Sequence, residues 1–151
     1  MKKLLTASAT AALILTTSAL PALAAKGPAQ KATGGVRFEQ PAPYNNASME
    51  FEVHDADEVG KTDKGSLRYA DEVGYYVLDV YKVDVLGDNA DFWGKVTEST
   101  HPGVPVGANV NIRVHDGGEP GTNGDLINGA VGVPAPAPSI PVTGGNLQVH
   151  S

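Results

Sequence analysis

Apolar and polar residues alternate along most of the chain after residue 33, which is the pattern of half-buried β-strands. Val110, Ile112 and Val114 alternate with polar neighbours, and residues 49–54 follow the same rule. Side chains of an extended segment point to opposite faces in turn, so each run offers one face to a core and one to solvent. The pattern predicts an all-β domain of about eight antiparallel strands, arranged as a barrel or as a two-sheet sandwich.

The boundaries of these strands follow from turn residues, since Gly, Pro, Asn and Asp interrupt the alternation. The predicted strands are residues 34–39, 49–54, 67–69, 75–86, 90–97, 110–115, 126–127 and 145–149. In the first half of the predicted strand 75–86, apolar residues occupy both the odd-numbered and the even-numbered positions. This predicts either a strand that is buried on both faces or a β-bulge that exchanges its inward and outward faces. Residues 130–143 are rich in proline, which predicts a long surface loop. The last strand is expected to pair with the first.

The N-terminus has the three zones of a secretory signal. Lys2 and Lys3 precede an apolar run over residues 4–20, and small residues follow it. We expect cleavage near Ala24 or Ala25 and a secreted or periplasmic location. Serines and threonines interrupt the run, which makes it unsuitable as a stable membrane span. The predicted organisation is a signal peptide at 1–25, a disordered lead-in at 26–32 and a single β-domain at 33–151.

Charge and composition exclude several classes of function. The formal net charge is −6, and removing the two lysines of the signal leaves nine basic residues (11 − 2) against 17 acidic ones, a net charge of −8. Nucleic acid is therefore not expected as a partner, because phosphate backbones are bound by clustered Lys and Arg. The absence of cysteine excludes disulfides, thiolate nucleophiles and thiolate metal ligands.

Two groups of residues are candidates for a binding site. Asp116, Glu119 and Asp125 lie in a glycine-rich hairpin tip, where carboxylates and backbone carbonyls could bind Ca²⁺. The alternative is that they are ordinary turn residues. Trp93, Tyr75 and Tyr76 could form an aromatic ligand-binding surface, and the alternative for them is packing in the core and at its rim. No other cofactor is predicted.

No catalytic residues are predicted. The four histidines have none of the short spacings typical of zinc sites, and neither a G-x-S-x-G nor an S-x-x-K motif occurs.

Several short segments resemble an uncharacterised family of bacterial secreted β-domains, the post-COAP domains, which are appended to some larger surface proteins. The resemblance lies in Gly34-Gly35, residues 65–69, residues 90–96, the DGGEPG turn at 116–121 with Asp125, and the ending GGNLQVH at 144–150. It implies an exported β-fold. The family has no assigned activity, so it implies no site residues.

Three functions fit these observations. The first is a non-enzymatic exported domain that serves as a structural or binding module, with a cell-surface component as partner. The second is a barrel that binds a small ligand, which requires a cavity open at one end. The third is a hydrolase or isomerase, which requires paired carboxylates or a His-Asp pair pointing into the barrel mouth.

Overall fold

The computed structural model describes residues 30–56, 62–118 and 122–151. These residues form eight β-strands and no helix. The strands are β1 (Lys31–Glu39), β2 (Asn46–His54), β3 (Lys64–Ala70), β4 (Tyr75–Leu86), β5 (Asn89–Ser99), β6 (Asn109–His115), β7 (Leu126–Val131) and β8 (Ile140–His150). The predicted signal peptide lies outside the described residues, and β1 begins inside the segment predicted as a lead-in.

The eight strands close into one antiparallel barrel in which each strand pairs with its neighbours in sequence. Closure comes from β1 and β8, where Ala32 lies opposite Val149 and Gly34 opposite Leu147. The all-β prediction is confirmed, and of the two predicted architectures the structure has the barrel. The predicted pairing of the last strand with the first is also confirmed.

The inward side chains form one hydrophobic core, as the alternation predicted. At its centre the rings of Phe51 and Phe92 lie 5.4 Å apart, and Phe92 is fully buried. Leu147 of β8 is 1% exposed, so the closing strand contributes to the same core. Burial of each such side chain stabilises the fold by about 1.5 to 3 kcal/mol relative to exposure.

Strand β4 changes its inward face part-way along. Tyr76, Leu78 and Val80 are buried at its start, whereas Val83 and Val85 are buried at its end. The register with β5 shifts after Val80, where one extra residue in β4 moves the following side chains to the opposite face. This confirms the β-bulge interpretation of the mixed apolar pattern.

The pairing between β7 and β8 is short. Only Leu126 with Pro141 and Ile127 with Ile140 are paired, so residues 128–131 have no ladder to β8. Strand β8 begins five residues before the predicted strand, and the loop shortens to 132–139. Proline is tolerated here because Pro141 lies in the first residues of the strand, where the ladder to β7 is ending.

The two ends of the barrel differ. One end carries the turns β1–β2, β3–β4, β5–β6 and β7–β8. We call it the cavity end, because residues of two of these turns line a cavity there. The other end carries the remaining turns together with Lys31 and His150, which are paired.

A candidate ligand cavity at one end of the barrel

A cavity of about 170 Å³ lies inside the cavity end of the barrel. Its walls are mainly aromatic and aliphatic side chains from most of the strands and from two turns. The lining residues are Phe38, Gln40, Tyr44, Met49, Tyr69, Tyr76, His101, Val104, Val110, Ile112, Ile127, Asn128, Gly129, Ala130, Val131 and Ile140. No Lys, Arg, Asp or Glu occurs among these described residues.

The missing side chain of Gly129 helps to keep this space free. Gly129 lies opposite Ile112 in the β6–β7 ladder, and a Cβ built on it would lie 2.9 Å from Cδ1 of Ile112. Gly129 is nevertheless exposed to solvent, because it belongs to the part of β7 that is not paired with β8. The gap between β7 and β8 is therefore an opening of the cavity.

Asn128 stabilises the edges of this opening. Its Oδ1 accepts a hydrogen bond from the Gly129 N–H at 2.9 Å. Its Nδ2 donates to the Ala137 carbonyl at 3.3 Å and to Ser139 Oγ at 3.2 Å, which ties loop 132–139 to β7. These bonds take the place of ladder bonds that the separated strands do not make.

Four aromatic rings pack together beside the cavity. Tyr69 and Tyr76 stack with ring centroids 4.8 Å apart, and His101 meets each of them edge-on at 6.2 Å. Tyr44 from the β1–β2 turn stacks on the other side of His101 at 5.6 Å. The cluster joins two turns and two strands, so it fixes the shape of the cavity end.

The carboxylate of Asp71 holds this cluster together from behind. Its side chain is fully buried and accepts hydrogen bonds from the Tyr69 hydroxyl at 2.8 Å and from the backbone N–H groups of Val73 and Gly74 at 2.8 and 3.0 Å. Nε2 of His101 lies 3.2 Å from Oδ2. Burial alone would raise the pKa of Asp71, but the hydrogen bonds to its charged form outweigh burial and hold the pKa below its ordinary value.

The hydrogen bonds of His101 assign its tautomer. Nδ1 accepts from the Gly103 N–H at 3.3 Å, so the proton is on Nε2, which donates to Asp71. Both ring nitrogens of His101 therefore have hydrogen-bond partners within the protein. The His-Asp pair that an acid-base enzyme would need is present, but its geometry is that of a positioning pair.

These contacts leave the hydroxyls of Tyr76 and Tyr44 without a hydrogen-bond partner among the described residues, and Tyr76 is the more deeply buried of the two. It is 7% exposed and lines the cavity, and its hydroxyl makes no hydrogen bond to any described residue. Burial, assisted by the negative charge of Asp71, raises the pKa of Tyr76, so the group keeps its proton at neutral pH.

The structure separates the three predicted aromatic site residues. Tyr76 faces the cavity, whereas Tyr75 alternates to the outer surface, where the Arg68 guanidinium lies 4.3 Å from its ring. Trp93 also faces outward. The residue of β5 opposite Tyr76 is Ser99, so six positions along β5 separate Trp93 from Tyr76. The three do not form one surface, because successive residues of a strand point to opposite faces.

Two of the three predicted calcium residues, Asp116 and Asp125, lie at the opposite end of the barrel. Asp116 accepts from the backbone N–H groups of Gly118 and Val149, each at 2.9 Å, and Asp125 is buried and accepts from Gly117 at 2.9 Å. Glu119 lies outside the described residues. Within the described part of the chain no three His, Asp or Glu side chains are grouped closely enough to hold a metal ion. Calcium binding stays a prediction.

The alternation pattern missed Asn111, which it assigned to the solvent face. Asn111 is fully buried, donates to Asp91 Oδ1 at 2.5 Å and to the Phe92 carbonyl at 3.0 Å, and accepts from the Ala135 N–H at 2.7 Å. Loop 132–139 thus lies against the outer face of β6. A polar residue in a strand carries no local signal that a distant loop will cover it.

Comparisons with known proteins give no relative for this chain. No protein-family model matches it, and no curated protein and no solved structure matches it either. The resemblance to the secreted β-domain family therefore stays a prediction. Across the ranges that the structure describes, no helix is both long and apolar enough to cross a lipid bilayer.

Proposed function

We propose that this protein is an exported barrel that binds a small, mainly apolar molecule in the cavity beside Tyr76. The observation that carries the proposal is a cavity of about 170 Å³ with aromatic and aliphatic walls, kept free by a glycine at its opening. A cavity of about 150 Å³ with apolar walls is large enough to bind benzene. The fitting ligand therefore has the size of one six-membered ring with a small substituent.

An unfilled cavity has a cost, which supports a functional reason for keeping it. An enclosed cavity of this volume lowers stability by on the order of 4 kcal/mol, and an open one by less. A glycine in a strand interior costs a further 0.5 to 1 kcal/mol or so relative to alanine. A larger residue at position 129 would reduce both costs.

The two other functions are less well supported. An acid-base enzyme needs a free histidine nitrogen or carboxylate facing its substrate, whereas His101 and Asp71 satisfy each other and nearby backbone groups. A surface binding module needs a defined contact surface, and the predicted aromatic residues Tyr75 and Trp93 lie apart on the outer wall.

Filling the cavity tests the proposal. Gly129→Leu places an aliphatic side chain in the opening beside the flexible end of Ile112. Gly35→Leu is the matched control, because Gly35 is an exposed strand residue of the outer wall, and a Cβ added to it would have no atom within 4 Å. We expect toluene to bind the wild type with a dissociation constant below about 1 mM. Binding should be lost in Gly129→Leu and kept in Gly35→Leu.

The measurement is a two-dimensional NMR titration with toluene, with chemical-shift changes mapped onto the backbone, together with urea unfolding of all three proteins. Gly129→Leu should be as stable as the wild type within about 1 kcal/mol, because a strand glycine is replaced. Equal toluene affinity in Gly129→Leu and the wild type, or shift changes confined to the opposite end of the barrel, would contradict the proposal.

A further inference from the structure

We infer that the natural ligand is a neutral molecule with a hydroxyl or carbonyl group, which forms a hydrogen bond with the Tyr76 hydroxyl inside the cavity. This inference rests on the proposed function and adds the chemical class of the ligand. The inferred ligand class follows from the Tyr76 hydroxyl that lines the cavity and from the lack of Lys, Arg, Asp and Glu among the described lining residues.

Two hydroxyls that line the cavity have no hydrogen-bond partner among the described residues, those of Tyr76 and Tyr44, and Tyr76 is the buried one, at 7% exposed against 37%. The neighbouring hydroxyl of Tyr69 already donates to Asp71 at 2.8 Å, and Tyr69 and Tyr76 are held parallel by stacking. Tyr76 is 7% exposed as a residue, and its hydroxyl has no hydrogen-bond partner among the described residues but remains accessible from the cavity. A ligand oxygen in the cavity would supply that partner.

The charges around the cavity disfavour an anion. No Lys or Arg side chain is among the described residues that line it, and the His101 ring already has partners for both nitrogens, so a carboxylate would enter without a counter-charge. The Asp71 carboxylate lies behind Tyr69 and His101 and would repel it.

A cation is also disfavoured. Asp71 already accepts hydrogen bonds from Tyr69, Val73, Gly74 and His101, so its lone pairs are in use. The aromatic rings stack on each other, Tyr69 on Tyr76 and Tyr44 on His101, which covers one face of each ring that a cation would need. A neutral ligand avoids both costs.

Phenol and toluene test this inference, because a hydroxyl in one replaces a methyl group of about the same size in the other. Tyr76→Phe removes only the hydroxyl in question. Tyr75→Phe is the matched control, since it removes a hydroxyl from the preceding residue, which faces outward. Tyr44→Phe removes the hydroxyl of the cavity residue on the β1–β2 turn. Dissociation constants are measured at pH 7 by NMR titration, for phenol and toluene with the wild type and the three variants, and for benzoate and benzylammonium with the wild type.

We expect phenol to bind Tyr76→Phe about tenfold more weakly than the wild type, a factor typical of one net hydrogen bond. Toluene affinity should change by less than about twofold, and Tyr75→Phe should behave as the wild type with both ligands. Benzoate and benzylammonium should bind the wild type at least tenfold more weakly than phenol.

The outcomes separate this inference from the proposed function. Unchanged phenol affinity in Tyr76→Phe, or benzoate or benzylammonium binding as tightly as phenol, overturns the inference while toluene binding still supports the proposed function. A loss of phenol affinity in Tyr44→Phe instead of Tyr76→Phe also overturns it. If none of the four compounds binds the wild type, the proposed function fails together with the inference. The charged-ligand arms use the wild type alone, so the test does not depend on the folding of a variant.

Discussion

Asp71 shows at the residue scale how a buried charge can organise a binding site. Removing a carboxylate from water is costly unless hydrogen bonds replace its hydration. Here two backbone N–H groups of its own turn, the Tyr69 hydroxyl and Nε2 of His101 supply them. One side chain thus fixes the β3–β4 turn, the β5–β6 turn and one wall of the cavity.

The stabilising effect of Asp71 should depend on pH. Asp71→Asn should lower the free energy of unfolding by about 2 to 4 kcal/mol at pH 7, because it weakens a buried charged network. The pKa of Asp71 is lower in the folded protein than the value near 4 of an unfolded aspartate. Its contribution is therefore complete above about pH 4 and is lost as the pH falls through the lower folded-state pKa.

Urea unfolding at pH 7, 5, 4 and 3 measures this effect. The difference in stability between wild type and Asp71→Asn should be constant from pH 7 to 5 and should narrow below pH 4. Glu72→Gln is the control, because Glu72 is the adjacent, exposed carboxylate. It should cause a much smaller loss at pH 7. A difference that is the same at pH 3 and pH 7 would contradict the assigned role of the Asp71 charge.

The sequence predicted individual residues well where a local pattern determines their environment. It assigned Phe51, Val110 and Leu147 to the core, and all three are buried. It did not predict the contact between Asp71 and His101, which are 30 residues apart, because that contact depends on which turns meet at one end of a closed barrel. Tyr76 was included among the candidates as an aromatic residue, without its inward direction being known.

Strand β8 illustrates how a single glycine determines the register of an element. Pairing with β1 shifts between Arg37 and Phe38, opposite residues 142–144. Gly145 follows this irregularity with φ of +95°, a conformation that L-residues with side chains rarely adopt. A Cβ on Gly145 would also overlap the carbonyl oxygen of Gly35 on the neighbouring strand. Both constraints arise from the backbone, so they cannot be relieved by moving a side chain.

Gly145→Ala should therefore destabilise the barrel by about 2 to 4 kcal/mol, since it combines backbone strain with steric overlap. Gly144→Ala is the matched control, because a Cβ there would meet only Cβ of Arg37 at 3.9 Å. Its effect should be within about 1 kcal/mol of zero. Thermal and urea unfolding of both variants measure the difference. Similar stabilities for the two alanine variants would show that β8 can adopt another register.

Elements were predicted correctly where composition and alternation agree. The bounds of β4 match the prediction, because its valines and tyrosines favour a strand and its turns are marked by glycine. The start of β8 was missed because Pro141 indicates a loop, whereas the structure accommodates it where the β7–β8 ladder ends. Strand ends at the cavity opening were therefore the hardest to predict.

At the scale of the whole molecule, the sequence did not predict whether the eight strands close into a barrel. Alternating strands fit a barrel and a sandwich equally well, and the pairing of β1 with β8 distinguishes them. The closed barrel has an uneven wall, since β1 and β8 pair at eight positions and β7 and β8 at only two. The cavity opens where this pairing is shortest.

The pairing of Lys31 with His150 has a further consequence for how the chain can be connected. Paired residues of antiparallel strands have Cα atoms about 5 Å apart, so a linker of about four residues can join them. A circularly permuted protein, with this linker and with new termini between Gly87 and Asp88, should fold into the same barrel and bind toluene with the same affinity. New termini between Val80 and Tyr81, inside β4, should prevent folding.

Circular dichroism and the toluene titration of the two permuted proteins provide the measurement. Failure of the first protein to fold would mean that the β4–β5 turn must form early for the barrel to close. Success would mean that the native order of the strands is one of several cyclic orders compatible with the same barrel. The linker between Lys31 and His150 could then be attached to a surface or to another protein. The cavity would remain accessible, because it lies at the other end of the barrel.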